Sequence, residues 1–179
     1  MKRAPVETLL FEALAFAAHK HRAQRRKDVE ASPYINHPIA LARTLAVEGG
    51  IGDTKTLIAA VLHDTVEDTD TTFEEIRAMF GDKVADVVRE VTDDKTLEKA
   101  DRKRLQIEHA PHMSKRAALV KLADKTSNLR DVATSPPRGW SLERKREYFD
   151  WAKAVIDGLR GSNAALEAAF DEAYRRRVP

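Results

Sequence analysis

Cysteine is absent from this chain. That absence excludes disulfide bridges, thiolate zinc sites and thiol nucleophiles, and it suits a reducing compartment, so a cytoplasmic location is expected. Long apolar runs are missing as well. Nothing approaches the roughly 20 apolar residues that span a bilayer, and the N-terminus lacks the apolar core of about 7–15 residues found in signal peptides, so no membrane partner is expected. Charge of one sign is scarce: 31 Lys and Arg stand against 29 Asp and Glu, for a net charge of +2. A balance of this kind creates no global field for coating a polyanion, and without a continuous basic stripe no nucleic-acid partner is expected. Alternating β-rich runs bounded by turn residues are also lacking.

What is present is apolar residues at helical spacing almost throughout. Hydrophobic residues make up 42% of the 179, enough to bury a core, so one all-α helical bundle spanning residues 1–179 is expected. Pro5 reads as a first-turn residue, and Leu10, Leu14, Ala17 and His21 make a stripe along a helix ending near Gln24. A polar loop runs from Arg25 to Asn36. Asn36 reads as the cap of a second helix with Pro38 in its first turn and Gly49 and Gly50 at its end, and Asp53 as the cap of a third. Thr72 and Glu75 have capping-box spacing before Ile76, Met79 and Phe80. Gly81 closes that helix and Asp82 restarts the chain. Further helices are expected over 83–91, 98–109, 115–133, 142–160 and 164–177, with Ser114, Ser141 and Asn163 as caps. Pro136, Pro137 and Gly139 break the pattern in a stretch too short for a domain linker, and no internal repeat is visible.

The stretch TLIAAVLHDTVEDT makes the third helix apolar on nearly every side, yet it carries His63, Asp64, Glu67 and Asp68. Unpaired buried carboxylates cost several kcal/mol each, so something must compensate them. At about 100° per residue, His63 lies over Glu67 and Asp64 over Asp68, and all four point into one sector. A His-Asp dipeptide alone is more often a hydrogen-bonded pair or a cap. Two further segments change that balance. ALVKLADKTSNLRD is a second apolar helix with Asp124 set into it and Asn128 one turn on, and YINHP adds His37 at the start of its own helix. Two imidazoles and two carboxylates form an N/O donor set for one divalent ion: Mn²⁺, Fe²⁺ or Co²⁺, with Zn²⁺ also compatible. The expected ligands are His37, His63, Asp64 and Asp124, with Glu67 and Asp68 one turn beyond them as catalytic groups.

These segments, YINHP, VLHDTVEDT, VTDDKT and VKLADKTSNLRD, resemble the HD-type hydrolase domain of the RelA/SpoT alarmone enzymes. They are most similar to the stand-alone small alarmone hydrolases of the metazoan SpoT-homologue type. The resemblance covers essentially the whole chain and rests on four motifs in order. It implies Mn²⁺ on His37, His63, Asp64 and Asp124, catalysis by Glu67 and Asp68, and hydrolysis of (p)ppGpp to GDP or GTP and pyrophosphate. The chain departs from the family pattern in carrying Ala23 before Gln24, and Ala31 and Ser32 before Pro33, where glycines are usual. Thr126 and Ser127 fill positions where relatives often carry larger residues.

Such a substrate needs local cations. Arg25, Arg26 and Lys27 precede His37, and Lys95, Lys99, Arg102, Lys103 and Arg104 follow VTDDKT. Through the resemblance, Arg26 and Lys27 contact the nucleotide, Arg26 by stacking on the base. Lys99, Arg144, Tyr148 and Asn128 complete the expected substrate-binding set, although a charge run is also commonly a solvated face and a helical tyrosine commonly packs. His19, His21, His109 and His112 fit no ligand spacing and read as ordinary histidines. Two other readings stand beside the hydrolase: removal of the 2′-phosphate of NADPH or hydrolysis of another nucleotide, and a nucleotide sensor without catalysis. Oligomeric state is not readable.

Overall fold

The computed structural model describes residues 6–177, so Pro5 lies outside it. Among the described residues the regular structure is helical, with one isolated antiparallel bridge between Arg25 and Pro33. The elements are α1 (Val6–Lys20), α2 (Asn36–Arg43), a π turn (Thr44–Glu48), α3 (Thr54–Leu62), α4 (Thr65–Asp68), α5 (Phe73–Phe80), α6 (Asp82–Val91), α7 (Lys99–His109), a 3₁₀ turn (Ala110–His112), α8 (Lys115–Thr134), α9 (Leu142–Asp157) and α10 (Ala164–Arg175).

At the centre is α8, whose Ala117 to Ser127 are buried without interruption. It packs against α2, α3, α6, α9 and α10, while α1 lies on α3. Leu41, Leu62, Leu122, Leu129, Phe149, Ile156 and Phe170 are fully buried in this core. Burial contributes roughly 1.5–3 kcal/mol for each large apolar side chain, which is what holds α2, α3 and α8 in fixed relation at their polar ends.

The caps at Ser114, Ser141 and Asn163 form as expected: each side chain accepts from the amide three residues on. Thr72 does the same for Glu75, but the Glu75 carboxylate turns to Lys20 at 3.2 Å instead of closing the box. Other boundaries differ. α1 stops at Lys20, short of Gln24, because tight turns take over at His21 and Arg22 donates to the His19 carbonyl at 2.8 Å. Asn36 makes no side-chain cap and is instead the first residue of α2. Its amide and that of His37 donate to Pro33 and Tyr34 carbonyls at 3.2 and 3.0 Å, so the turn supplies the partners a cap would have given. Asp53 stands at the head of α3, but its carboxylate takes the Thr56 hydroxyl and Arg116 rather than a backbone amide. α9 and α10 end at Asp157 and Arg175, earlier than their apolar periodicity suggests.

The largest correction concerns the third helix. It does not run through TVED; α3 ends at Leu62, and Asp64 at φ −98°, ψ −2° separates it from α4. Side chains make this break tolerable: His63 Nδ1 lies 2.8 Å from the Ala60 carbonyl and Thr65 Oγ1 donates to Leu62 O at 2.6 Å, covering carbonyls that a continuous helix would have bonded internally. The four polar residues are therefore distributed around a turn and are not stacked in two helical rows.

Candidate active site

α2, the end of α3 and α8 converge on His37, His63 and Asp124, which are 4%, 5% and 8% exposed. One ligand atom from each lies within 4.8 Å of the others. The rings of His37 and His63 face edge to face at 5.3 Å between centroids. His37 Nε2 is 3.3 Å from Asp124 Oδ1, and His63 Nε2 is 2.9 Å from Asp64 Oδ2. Asp64 also reaches to 4.0 Å from His37 Nε2. Three of the four expected ligands, His37, His63 and Asp124, are thus brought together, while Asp64 lies beside the histidines but outside that mutual 4.8 Å set.

His63 donates from Nδ1 to Ala60, which leaves Nε2 facing the carboxylates and able to bind a cation once its proton is displaced. That buried Nε2 has no hydrogen-bond partner among the described residues. An imidazole nitrogen without a hydrogen-bond partner, beside two carboxylates and a second imidazole, fits a divalent cation. Without one, burial opposes the charged imidazole but Asp64 and then Asp124 override it, pushing His63 up to about 9. Burial opposes ionisation of Asp124 too, but Lys125 and the histidines hold it well below the usual carboxylate range.

Several supporting residues escaped the sequence reading. The Tyr34 hydroxyl donates to Asp64, and burial together with Asp64 keeps that phenol protonated. Lys125, buried, donates to Asp124 Oδ2 at 3.2 Å and lies 4.4 Å from the Trp151 ring centroid. Asn128 Nδ2 donates to Asp124 Oδ1 at 2.6 Å, the one-turn relation that its spacing predicts. Glu67 Oε2 accepts from the Asp93 amide at 3.1 Å, and burial raises its pKa. Asp68 accepts from Lys95 and, at 3.1 Å, from Gln24 Nε2. The segment after α6 therefore anchors both acidic residues. VTDDKT was visible as a motif, but nothing local shows that it reaches this far.

Through His37 the cluster meets a cavity of about 600 Å³ that Asp68, Asn128, Arg26, Lys27 and Tyr148 also line. Arg26 pairs with Asp131, and its guanidinium lies 5.8 Å from the Tyr34 ring centroid. A second cavity of about 450 Å³ shares Lys27, Trp140 and Tyr148 with the first and adds Lys99, Lys103 and Arg144. Lys99 and Arg144 therefore stand one compartment away from the cluster. Trp140 was missed; it carries Arg144 at 4.6 Å and Tyr148 edge-on at 5.4 Å. A lone tryptophan after a Pro-Pro-Arg-Gly turn was its only signal. Thr126 and Ser127 line neither cavity: Thr126 is fully buried and donates to Leu122 O.

A helical bundle with this histidine and aspartate constellation is an HD-type hydrolase scaffold, and the HD-domain family model matches residues 13–150: the chain belongs to the HD-domain family. Its relatives narrow the class. The *Xenopus tropicalis* guanosine-3′,5′-bis(diphosphate) 3′-pyrophosphohydrolase MESH1 is 61% identical over 166 residues, 93% of each chain. The human MESH1 protein is 58% identical over 168 residues, 94% of each. The bifunctional (p)ppGpp synthase/hydrolase SpoT of *Escherichia coli* K12 is 38% identical over 134 residues, 72% of this chain but 18% of that one. A solved structure described as a metazoan ortholog of SpoT that hydrolyzes ppGpp superposes with a TM-score of 0.92 at 55% identity, covering 94% of this chain and 95% of that one.

Proposed function

We propose that this protein is a metal-dependent (p)ppGpp 3′-pyrophosphohydrolase, acting as one domain over residues 1–179. The observation that carries this reading is the His37, His63 and Asp124 cluster, which through His37 meets a cavity walled by Arg26 and Lys27. His37, His63, Asp64 and Asp124 hold the ion, for which manganese is proposed. The ion supplies positive charge that polarises the phosphoryl group and acidifies water.

The residues do the rest. Glu67, held through Oε2 by the Asp93 amide and with Oε1 3.8 Å from Lys95 Nζ, accepts the proton of the attacking water, and its raised pKa suits that task. Asp68, held by Lys95 and Gln24, orients that water. The water oxygen bonds to the phosphorus attached to the ribose 3′ oxygen, and the bond to that oxygen breaks. Pyrophosphate leaves, and the 3′ oxygen picks up a proton. Arg26 and Lys27 hold anionic oxygens near the cluster, Lys99 and Arg144 hold those farther out, Tyr148 flanks the nucleoside and Asn128 holds water or the ribose. No nucleic acid is proposed as substrate. Among the described residues no helix is long and apolar enough to cross a membrane, and the cytoplasm is the proposed compartment.

Incubation of ppGpp with the manganese-loaded protein in ¹⁸O water is the test. Label in pyrophosphate with unlabelled GDP is the expected outcome. Release of orthophosphate alone would sink the reading and favour a phosphatase such as the NADPH alternative.

A further inference from the structure

His21 reads from sequence as an ordinary histidine, but its surroundings are not ordinary. It sits just past α1, 2% exposed, with its ring 4.7 Å from that of Tyr34. Nδ1 lies 2.6 Å from Gln24 Oε1, while the buried Nε2 has no partner among the described residues. An unpaired buried nitrogen costs stability, and stability is commonly conceded at functional sites.

The other end of the Gln24 amide lies 3.1 Å from Asp68 Oδ2. An ionised carboxylate only accepts, so the amide NH₂ faces Asp68 and the amide oxygen faces His21. That oxygen also only accepts, so His21 donates from Nδ1. The donors thus run one way, from His21 to Gln24 to Asp68. Lys95 binds Asp68 Oδ1 from the segment after α6, with Glu67 beside it. Gln24 and Asp68 both line the cavity that His37 lines.

We propose that His21 is a positioning residue for Asp68, acting through Gln24. Its Nδ1–H locks the amide with the donor end toward the carboxylate. Without that lock the amide can turn by half a rotation and present an oxygen to Asp68, which repels it from its place on the cavity wall. The inference rests on the reading in which Asp68 orients the attacking water.

The experiment compares His21→Asn with His21→Gln, each alone and in a Gln24→Met background. Asparagine puts an amide donor where Nδ1 stands, whereas glutamine puts it where Nε2 stands. Both are polar and smaller than imidazole, so a packing loss falls on both. With manganese content checked, His21→Gln should lose about tenfold in kcat with KM within about twofold, the scale of one hydrogen bond. His21→Asn should stay within about threefold of wild type. In the Gln24→Met background the two should be equal, because the relay is already cut. Equal rates for the two variants with Gln24 intact, or a difference that survives in Gln24→Met, would overturn the inference. Should neither His21 variant fold, Gln24→Met alone decides: a kcat loss of about tenfold at unchanged KM supports the relay, and wild-type kcat refutes it. A wild type that releases no pyrophosphate overturns the underlying reading and the inference with it, whereas a working wild type with equal variants overturns the inference alone.

Discussion

His37, which lines the cavity, and His63 and Asp124, buried next to it, form a floor on α2, the end of α3 and α8, whereas Arg25 and Lys27 at the rim are exposed on a segment regular only at one isolated bridge. Helices packed in a core hold the floor, and a few local bonds hold the rim: Arg26 N to Ser32 O at 2.8 Å, and Ser32 to Asp28. The comparison teaches that charge can be buried where packing fixes its partners, while the cations proposed to meet the nucleotide stand on a segment held by few bonds. Ion binding should therefore fail abruptly on mutation, and nucleotide binding by degrees.

The sharpest break is at the floor. His63→Ala and Asp124→Asn should lose the divalent ion and with it essentially all turnover, measured by elemental analysis and a pyrophosphate assay. Ion content equal to wild type in both would dissolve the assignment. Glu67→Gln and Asp68→Asn should keep the ion yet lose at least about a hundredfold in kcat, the scale of general acid-base groups. Loss of the ion in either would move that residue onto the metal. Next is pH. His63 of the ion-free protein is pushed up to about 9, so below that value an incoming cation must displace a proton. Affinity should fall about tenfold per pH unit, or about a hundredfold from pH 8 to pH 6, in a competition titration against a chelator of known pH dependence. The sign for stability is opposite. Charged His63 stabilises the ion-free fold below 6.5, its ordinary value, and that contribution is lost as pH rises through about 9.

At the rim the effects should be graded. Arg26→Ala should raise KM by about tenfold with a smaller fall in kcat, because the contact is away from the attacked phosphorus; unchanged steady-state constants would return Arg26 to a structural pairing with Asp131. The smallest effect concerns Ala31, a non-glycine residue at φ +51° in this same segment. Left-handed backbone costs an alanine roughly 1–2 kcal/mol. Ala31→Gly should relieve part of that and raise Tm by about 2–4 °C in a calorimetric scan. A fall in Tm would show that the segment bears no such strain.

What could be read in advance follows the same divide. Ser114, Ser141 and Asn163 were legible as caps because capping involves a side chain and an amide three residues away. The clustering of His63 and Asp124 was legible because they follow or interrupt TLIAAVL and ALVKLAD, runs otherwise fit only for a core. The break at His63 and Asp64 was not, since no glycine or proline marks it and the side chains that cover its carbonyls act only once folded. Nor were the partners Gln24, Tyr34 and Lys95, whose contacts with Asp68 and Asp64 join segments far apart in the chain. The missing glycine near Pro33 was visible as a departure; its backbone consequence at Ala31 needed coordinates.

The chain has two tryptophans, and both belong to the paired cavities. Trp140 lies on the wall shared by the two, and Trp151 lines the second. Trp151 also carries the ammonium groups of Lys125 and Lys103 at 4.4 and 4.9 Å, and Lys125 donates to Asp124. The protein's tryptophan fluorescence therefore originates at the two cavities. Under the proposed function, one indole would sense the arrival of a nucleotide and the other the local field that an ion changes, so occupancy could be followed by light without attaching a label.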